Sequence, residues 1–292
     1  MTTLAVAVFG TARTRDGLEL RTLRWPAAGK ARAHLLLVHG IAEHAERHAH
    51  VASRFASAGI ETHAYDLRGF GASAGHRAYV DHWSQYHDDL EDQLAAIRAV
   101  AGPVPVVLYG HSMGGLIALG YVLLDPSRPQ PDLLVLSAPA IAARVARWKL
   151  ALADVLGRLM PRLLIPNELP PGGLSRDPET LVAYRSDPLN VHRTTARLGM
   201  ELFHEQARVR ARLGQIGALP VPAYVLHGTD DPIVPVSASA LLDGKGNVTR
   251  RVYPGLRHEM HNEPEAPVVI GDTTAWIEGR LVELGARPAH GR

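Results

Sequence analysis

The sequence contains no cysteine among its 292 residues. Disulfide bridges, cysteine-ligated zinc sites and a thiolate nucleophile are therefore excluded. Long apolar runs are also missing, since no stretch reaches the roughly 18 residues that a membrane-spanning helix needs. The first apolar run, residues 4–9, has no basic region before it and is too short for a secretory signal. We expect a cytoplasmic protein.

An excess of charge of one sign is missing as well. The 31 Lys and Arg residues nearly balance the 29 Asp and Glu residues, which leaves a net charge of +2. A chain with so little excess charge lacks the basic surface of a nucleic-acid-binding protein. Apolar residues, in contrast, make up 46% of the sequence and charged residues 21%. These proportions are typical of a globular protein with a substantial core.

Short apolar runs alternate with helical patterns along most of the chain. We predict strands over residues 34–38, 60–65, 104–109, 133–136, 223–226 and 248–253, and helices over 46–58, 83–101, 113–124 and 266–281. Strands that are separated by helices form a mostly parallel sheet with helices on both faces. The runs at 4–9 and 19–25 have only a short polar link with Asp16-Gly17 between them, which predicts an antiparallel hairpin at the sheet edge.

One long interval, between residues 137 and 223, interrupts this alternation without a clear strand. A simple crossover needs far fewer residues, so we predict an inserted helical cap or lid over 138–219 and a core formed by 1–137 and 220–292. The insertion begins with an apolar helical face, formed by Val145, Trp148, Leu152, Val155, Leu156 and Leu159. Such a face can line a binding cavity or simply pack on the core. The segment 163–165 is apolar enough to contact a membrane surface.

The strongest chemical signal is the segment GHSMGG at residues 110–115, between a predicted strand and a predicted helix. This is the G-x-S-x-G pattern in the strand–turn–helix context that a nucleophilic serine requires. Gly110 and Gly114 remove side chains that would collide in this sharp, strained turn. The turn sets Ser112 above the carboxyl edge of the sheet and at a helix amino terminus, which favours a developing anion. We predict that Ser112 is the nucleophile.

A nucleophilic serine needs a base, and the base needs an acid that orients it. Asp230 and Asp231 follow one of the late predicted strands, and His258 follows the last. These loops leave the sheet at the same edge as Ser112, so the three groups can converge. The order Ser, Asp, His along the chain is that of α/β-hydrolases. Position alone does not decide which of the two aspartates is the acid, because either can instead cap the helix that follows.

Six segments extend this pattern over most of the chain. They are 38–44 (VHGIAEH), 65–73 (YDLRGFGAS), 110–115 (GHSMGG), 136–139 (LSAP), 227–231 (HGTDD) and 253–259 (YPGLRHE). On these residues the chain, from about 34 to 281, resembles the monoacylglycerol lipase group of α/β-hydrolases, a branch that also carries lysophospholipase and aminopeptidase labels. The resemblance implies an α/β-hydrolase fold, with a mostly parallel central sheet, helices on both faces and an inserted helical lid.

The resemblance also selects among the candidate residues. It places the acid at Asp231, the fourth residue of G-x-x-D, rather than at Asp230. The oxyanion hole is expected to consist of two backbone N–H groups, one from Met113 after the nucleophile and one from Ile41 in the loop after the first parallel strand. Ala42 stands where many relatives have glycine, a small departure that can alter this loop.

Polar residues near this loop are implied to line the end of the substrate pocket that holds the head group. They are Glu43, Arg47, His111 and His261; a surface ion pair and an exposed histidine are the alternative interpretation. His44 and His48 have a spacing that suggests a metal site, but Glu46 lies at the wrong position for the H-E-x-x-H pattern. We therefore expect neither a metal ion nor a cofactor.

Two further groups of charged residues are predicted to have structural roles. The acidic cluster Asp88, Asp89, Glu91 and Asp92 lies near the start of a predicted helix, where it is expected to be solvated and to complement the helix dipole. Asp66 and Arg68 are expected to stabilise their turn together, as a buried or capped pair.

The leading hypothesis is a serine hydrolase that cleaves monoacylglycerol to glycerol and fatty acid through an acyl-enzyme. A lysophospholipase or short-chain carboxylesterase is the alternative within enzymes. A ligand-binding protein that retains the fold without catalysis is a third possibility, because fold does not establish function. The expected partner is a single-chain lipid ester, with transient contact of the lid with a membrane surface.

Overall fold

The structure is a computed structural model that describes residues 5–167, 170 and 172–285. Its strands are β1 (Val8–Arg13), β2 (Glu19–Trp25), β3 (Ala33–Val38), β4 (Ile60–Tyr65), β5 (Val106–His111), β6 (Leu133–Ser137), β7 (Leu164–Pro166), β8 (Arg193–Thr195), β9 (Ala218–Gly228) and β10 (Gly246–Tyr253). Its α-helices are α1 (Ala49–Ser57), α2 (Ser84–Ala101), α3 (Met113–Leu124), α4 (Arg147–Leu159), α5 (Pro178–Ser186), α6 (Ala196–Leu213), α7 (Val236–Ala240) and α8 (Ala266–Gly285). Two 3-10 turns cover Ala45–His48 and Met260–Asn262.

The central sheet has eight strands in the order β1-β2-β4-β3-β5-β6-β9-β10. Strands β1 and β2 are antiparallel to their neighbours, whereas the pairs from β4 to β10 are parallel. Side chains of β3, β5 and β6 are buried on both faces, which explains why these strands are continuous apolar runs. Leu36 and Leu108 belong to the core on the side of α2 and α3, and Leu35 and Val107 to the core on the side of α1 and α8. The predicted mostly parallel, two-sided α/β fold is confirmed.

The first strand is the clearest error in the predicted elements. It was expected over residues 4–9, but β1 covers Val8–Arg13, and residue 4 lies outside the described part of the chain. Nearly every residue of β1 is exposed, so hydrophobicity does not mark this edge strand. Its register follows instead from the turn, where the N–H of Gly17 donates to the carbonyl of Thr14 and Arg13 pairs with Glu19.

The described residues between β6 and β9 include helices α4, α5 and α6 and a short two-stranded sheet of β7 and β8, which the sequence did not predict. Helix α6 contacts both α4 and α3. Because α6 leads into β9, which is parallel to β6, it supplies the crossover between these strands. The division of the chain at residues 138–219 stays a prediction.

Four loops that carry the candidate site residues leave the carboxyl ends of parallel strands. They follow β3, β5, β9 and β10, so they share one edge of the sheet. Among the helices of the described residues, none has the length and apolar character that crossing a membrane would require.

Candidate active site

Ser112 occupies a sharp turn between β5 and α3. Its φ of 52° and ψ of −116° are unusual for a residue with a side chain. Two glycines make the turn sterically feasible: a Cβ on Gly110 would lie 2.4 Å from the carbonyl oxygen of Gly114, and a Cβ on Gly114 would lie 2.2 Å from that of Val38. The spacing of the G-x-S-x-G pattern therefore follows from contacts between backbone segments.

Backbone hydrogen bonds hold the strained serine in place. The N–H of Ser112 donates to the carbonyl of Ser137 over 2.9 Å, and its own carbonyl accepts from the N–H groups of Leu116 and Ala140. The residue is 5% exposed and lies at the amino terminus of α3. A developing negative charge on a reacting group at this position would be stabilised by the free N–H groups of the helix.

The aspartate and the histidine predicted to assist Ser112 form a direct pair. His258 donates its Nδ1–H to Oδ2 of Asp231 over 2.7 Å, and both residues are buried. The other oxygen of Asp231 accepts the backbone N–H groups of Ile233 and Val234. Asp230 is exposed and accepts a hydrogen bond from its neighbour Thr229 instead. Of the two adjacent aspartates, the geometry therefore joins Asp231 to the imidazole.

The charges of this pair reinforce each other. Burial alone would raise the pKa of Asp231, but the charge of His258 and hydrogen bonds from His227, His258 and Val234 bring it below its usual value. Burial would lower the pKa of His258, but the Asp231 carboxylate raises it above the ordinary value. A carboxylate that stays ionised beside the imidazole stabilises the imidazolium that forms when His258 accepts a proton.

The histidine also lies close to the serine turn. The ring of His258 is 4.9 Å from the ring of His111, centroid to centroid, and His111 directly precedes Ser112. His111 itself is 1% exposed, and its Nδ1 lies 3.3 Å from the hydroxyl oxygen of Ser137. Burial and the charge of His258 hold the pKa of His111 well below its usual value, so this ring is neutral.

The loop after β3, which carries the predicted oxyanion donor Ile41, is anchored at several atoms. His39 donates its Nδ1–H to the carbonyl of Gly40 and accepts the backbone N–H of Leu67 at Nε2. The N–H of Gly40 donates to Oε1 of Glu43 over 2.5 Å. A Cβ on Gly40 would lie 3.1 Å from the Cβ of Ser112, so the loop passes directly beside the serine.

Glu43 is the centre of a buried polar network. It is 3% exposed, and besides Gly40 it accepts from Nε of Arg47 and from Nε2 of His48. Burial would raise the pKa of Glu43, but the charge and hydrogen bond of His48 and the nearby cations bring it well below the usual value. Nη2 of Arg47 donates to both carboxylate oxygens of Glu259, over 2.8 and 2.7 Å. Glu259 directly follows His258, so this network links the loop after β3 to the loop of the candidate base.

His261, the last of the residues implied to lie near the head group, packs among other imidazoles. Its ring centroid is 4.6 Å from that of His48 and 4.9 Å from that of His111. It is 2% exposed, and neither ring nitrogen has a hydrogen-bond partner in the described residues. Two buried, unpaired nitrogens make His261 available for a hydroxyl of a bound ligand.

Residues between β6 and β9 also hold the loop after β3, a feature that the sequence did not reveal. The hydroxyl of Tyr184 and the N–H of Val191 both donate to the carbonyl of Ala42, and His44 pairs with Asp187 over 2.8 Å. Ala42 has a φ of 67°, a left-handed conformation that glycine adopts without strain. No short motif marks these three residues of the insertion, and only the folded chain brings them to the loop.

The histidines of this loop form no common metal site within the described part of the chain. His44 pairs with Asp187, whereas His48 faces Glu43, so the two imidazoles face different carboxylates. The chemistry that this site can perform is that of a serine, an imidazole and a carboxylate beside backbone N–H donors, the arrangement used for acyl transfer.

Comparison with known proteins identifies the family of the chain. Residues 29–265 match the family described as "Serine aminopeptidase, S33". A monoacylglycerol lipase of Mycolicibacterium smegmatis is 39% identical over 268 residues, which cover 88% of this chain and 92% of that protein. Phospholipase YtpA of Bacillus subtilis is 28% identical over 84% of this chain and 94% of its own length.

Solved structures give the same result for the fold. The crystal structure of a monoacylglycerol lipase of Paleococcus ferrophilus superposes with a TM-score of 0.77 at 28% identity, over 88% of this chain and 97% of that one. The match to the family spans well over half of the chain, and the mycobacterial relative is similar over nearly its whole length. The chain therefore belongs to the serine aminopeptidase, S33, family of α/β-hydrolases, within its monoacylglycerol lipase-like branch of carboxylic ester hydrolases.

Proposed function

We propose that this chain hydrolyses monoacylglycerols to glycerol and free fatty acid, with Ser112 as the nucleophile, His258 as the base and Asp231 as the orienting acid. The observation that carries the proposal is the 2.7 Å hydrogen bond between Asp231 and His258 beside the strained turn of Ser112. The mycobacterial relative, which is named a monoacylglycerol lipase, supports the choice of substrate.

In the proposed reaction, Nε2 of His258 accepts the hydroxyl proton of Ser112 as the serine oxygen attacks the acyl carbonyl. The tetrahedral oxyanion accepts the backbone N–H groups of Ile41 and Met113. His258 then returns the proton to the glycerol oxygen as the ester bond breaks, which leaves an acyl group on the serine. Water, deprotonated by the same imidazole, attacks the acyl-enzyme, and its breakdown releases the fatty acid and restores Ser112.

The polar end of the substrate is proposed to lie near Glu43, Arg47, His111 and His261. His261 supports this most directly, because its buried ring nitrogens have no protein partner among the described residues. Glu43 and Arg47 already have protein partners, so their contribution is better explained by positioning of the oxyanion loop than by direct contact with glycerol.

We also propose that the lid contacts a lipid surface. Four large apolar side chains of α4 project into solvent: Trp148, Leu152, Val155 and Leu159 are 64%, 46%, 50% and 77% exposed. Leu163, Leu164 and Ile165 are also at least 37% exposed. This much uncovered apolar surface is costly in water, and Arg147, Lys149 and Arg158 on the same helix suit an anionic membrane surface. A lipid surface is the partner that we propose for this apolar face, because the proposed substrate itself resides in one.

A lysophospholipid or a short-chain ester is the alternative substrate, favoured by the similarity to a phospholipase. The test is turnover of a chain-length series of monoacylglycerols beside lysophosphatidylcholine, short esters, and di- and triacylglycerols. We expect monoacylglycerol to have the highest kcat/KM. Poor turnover of every monoacylglycerol beside fast turnover of the lysophospholipid would reject the proposed substrate while it leaves the serine mechanism intact.

A separate experiment tests the hypothesis that the chain is a ligand-binding protein without catalytic activity. A fluorophosphonate reacts with an activated serine hydroxyl but not with an ordinary one. We expect the folded protein to be labelled at Ser112, and we expect the His258→Ala variant to be labelled far more slowly. A folded protein that resists labelling would favour the binding protein.

A further inference from the structure

Three potential metal-binding side chains meet on one face of the sheet, away from the serine. His34 lies near the start of β3, while Glu61 and His63 lie on the neighbouring strand β4. His34 and Glu61 are register partners in the parallel ladder, and the alternation of side chains brings His63 to the same face. Ser112 follows the opposite, carboxyl end of the neighbouring strand β5, so this cluster is separate from the acyl-transfer site.

The distances within the cluster match a coordination sphere. Nδ1 of His34 and Nε2 of His63 are 3.1 Å apart, and Oε1 of Glu61 is 3.7 Å from Nε2 of His63. All three candidate ligand atoms lie within 4.8 Å of one another. Zinc–nitrogen bonds at tetrahedral angles separate two ligand atoms by about 3.3 Å, close to the distances of His63 from His34 and from Glu61, so side-chain adjustment would complete the site.

The chemistry of the donors selects the class of metal. Two imidazoles and one carboxylate suit zinc and other late first-row divalent ions, whereas magnesium and calcium prefer oxygen ligands. His34 is 6% exposed, while the side chains of His63 and Glu61 are 15% and 16% exposed, which leaves an approach from solvent.

We propose that His34, Glu61 and His63 form a zinc-type metal site that joins β3 to β4 and stabilises the fold, independently of the hydrolase reaction. The sequence did not single out these residues, because no spacing motif connects His34 on one strand with Glu61 and His63 on the next. Water would complete the coordination sphere at the side that faces solvent.

Arg24 competes with a metal ion for this site. Its Nη1 donates to Oε1 of Glu61 over 3.1 Å, the same oxygen that would bind the metal. The side chain of Arg24 is 48% exposed, so it can turn outward when the ion enters. A fixed positive charge beside the site weakens binding of a dication, and its removal is therefore expected to tighten binding.

The experiment is titration of the full chain, freed of metal with a chelator, with zinc followed by calorimetry and with cobalt followed by its visible absorption. We expect one ion per chain, with binding weakened at least about tenfold in His63→Asn and in Glu61→Gln. Arg24→Gln should bind more tightly than the wild type. His82→Asn, a change at an exposed histidine outside the cluster, is the matched control and should bind as the wild type does.

Thermal melting gives an independent readout. Zinc should raise the melting temperature of the wild type and of Arg24→Gln, and this rise should disappear in Glu61→Gln, whose shape is nearly unchanged. A wild type that binds neither ion, or binding that is the same in Glu61→Gln and His63→Asn as in the wild type, would overturn the proposal. Zinc that binds at Asp231 and His258 instead would still bind after these substitutions. Binding at that second place is therefore distinguished from binding at His34, Glu61 and His63.

Discussion

Asp231 and His258, which come from the loops after β9 and β10, are joined by a 2.7 Å hydrogen bond from Nδ1 to Oδ2. The neighbouring Asp230 is exposed and does not make this bond. Two adjacent carboxylates with different environments allow the role of the acid to be tested by a matched pair of substitutions.

Asp231→Asn is expected to lower kcat for monoacylglycerol about 10⁴-fold, because the amide no longer holds the imidazole in the tautomer that accepts the serine proton. Asp230→Asn should retain most of the activity. The measurement is kcat for both variants, with circular dichroism as the check on folding. Equal losses in the two variants, or a larger loss in Asp230→Asn, would contradict the assignment of the acid.

Glu43→Gln is expected to lower kcat about 10- to 100-fold with little change in KM. The neutral side chain accepts the N–H of Gly40 less strongly, so the loop that carries Ile41 loses part of its anchor and the oxyanion donor moves. Glu46→Gln is the control, since Glu46 is 43% exposed and pairs with Arg21. A raised KM with unchanged kcat would instead indicate direct contact between Glu43 and the head group.

The double substitution Trp148→Ser, Leu159→Ser is expected to weaken binding to phosphatidylglycerol-containing vesicles at least about tenfold. Each large apolar side chain that enters a lipid surface contributes about 1.5–3 kcal/mol. Vesicle co-sedimentation measures the effect, and Val100→Ser on α2, where Val100 is 71% exposed, is the control. Unchanged binding in the double variant would show that α4 does not contact the lipid.

Glu205→Gln is expected to raise the melting temperature at pH 8 by a few degrees and to leave it nearly unchanged at pH 5. Burial raises the pKa of Glu205 to about 7, against the opposing charge of Arg208, and burial lowers that of the facing His87 to about 3. The native state therefore keeps a proton on Glu205 that the unfolded state loses near pH 4.5, so the contribution of Glu205 to the free energy of unfolding falls as the pH rises from about 4.5 to about 7. The glutamine variant removes this penalty.

Thermal melting of both proteins across this pH range is the measurement for Glu205. Its Oε1 lies 3.4 Å from Nε2 of His87, and neither atom has another partner in the described part of the structure. Glu283→Gln, at a side chain that is 64% exposed, is the control and should leave the pH profile of the wild type unchanged. If the difference in melting temperature between Glu205→Gln and the wild type did not grow as the pH rises over this range, Glu205 would be ionised in the folded protein.

The sequence predicted the parts of the fold and site whose pattern is local. Helix α3 begins and ends where it was expected, at Met113 and Leu124, because a glycine-rich turn precedes it and its side chains are apolar almost throughout. The turn of Ser112 was predictable for the same reason. The convergence of an aspartate with His258 could be anticipated because both loops follow parallel strands at one sheet edge, whereas the choice of Asp231 over Asp230 came from the family resemblance.

Contacts between distant segments were harder to predict. Asp89 was expected on a solvated helix face, but it is 0% exposed and forms a bidentate pair with Arg68. Asp66 and Arg68, expected to pair with each other, have different partners, since Asp66 accepts the N–H groups of Ala45 and Ala72. In each case the charge pattern along the chain was visible, but the partner depends on tertiary packing.

The central claim is that Ser112 is the nucleophile of a monoacylglycerol hydrolase, and kcat of the Ser112→Ala variant on monoacylglycerol tests it most directly. We predict a loss of about 10⁴- to 10⁶-fold in a protein whose circular dichroism matches that of the wild type. A loss of less than about tenfold would contradict the account.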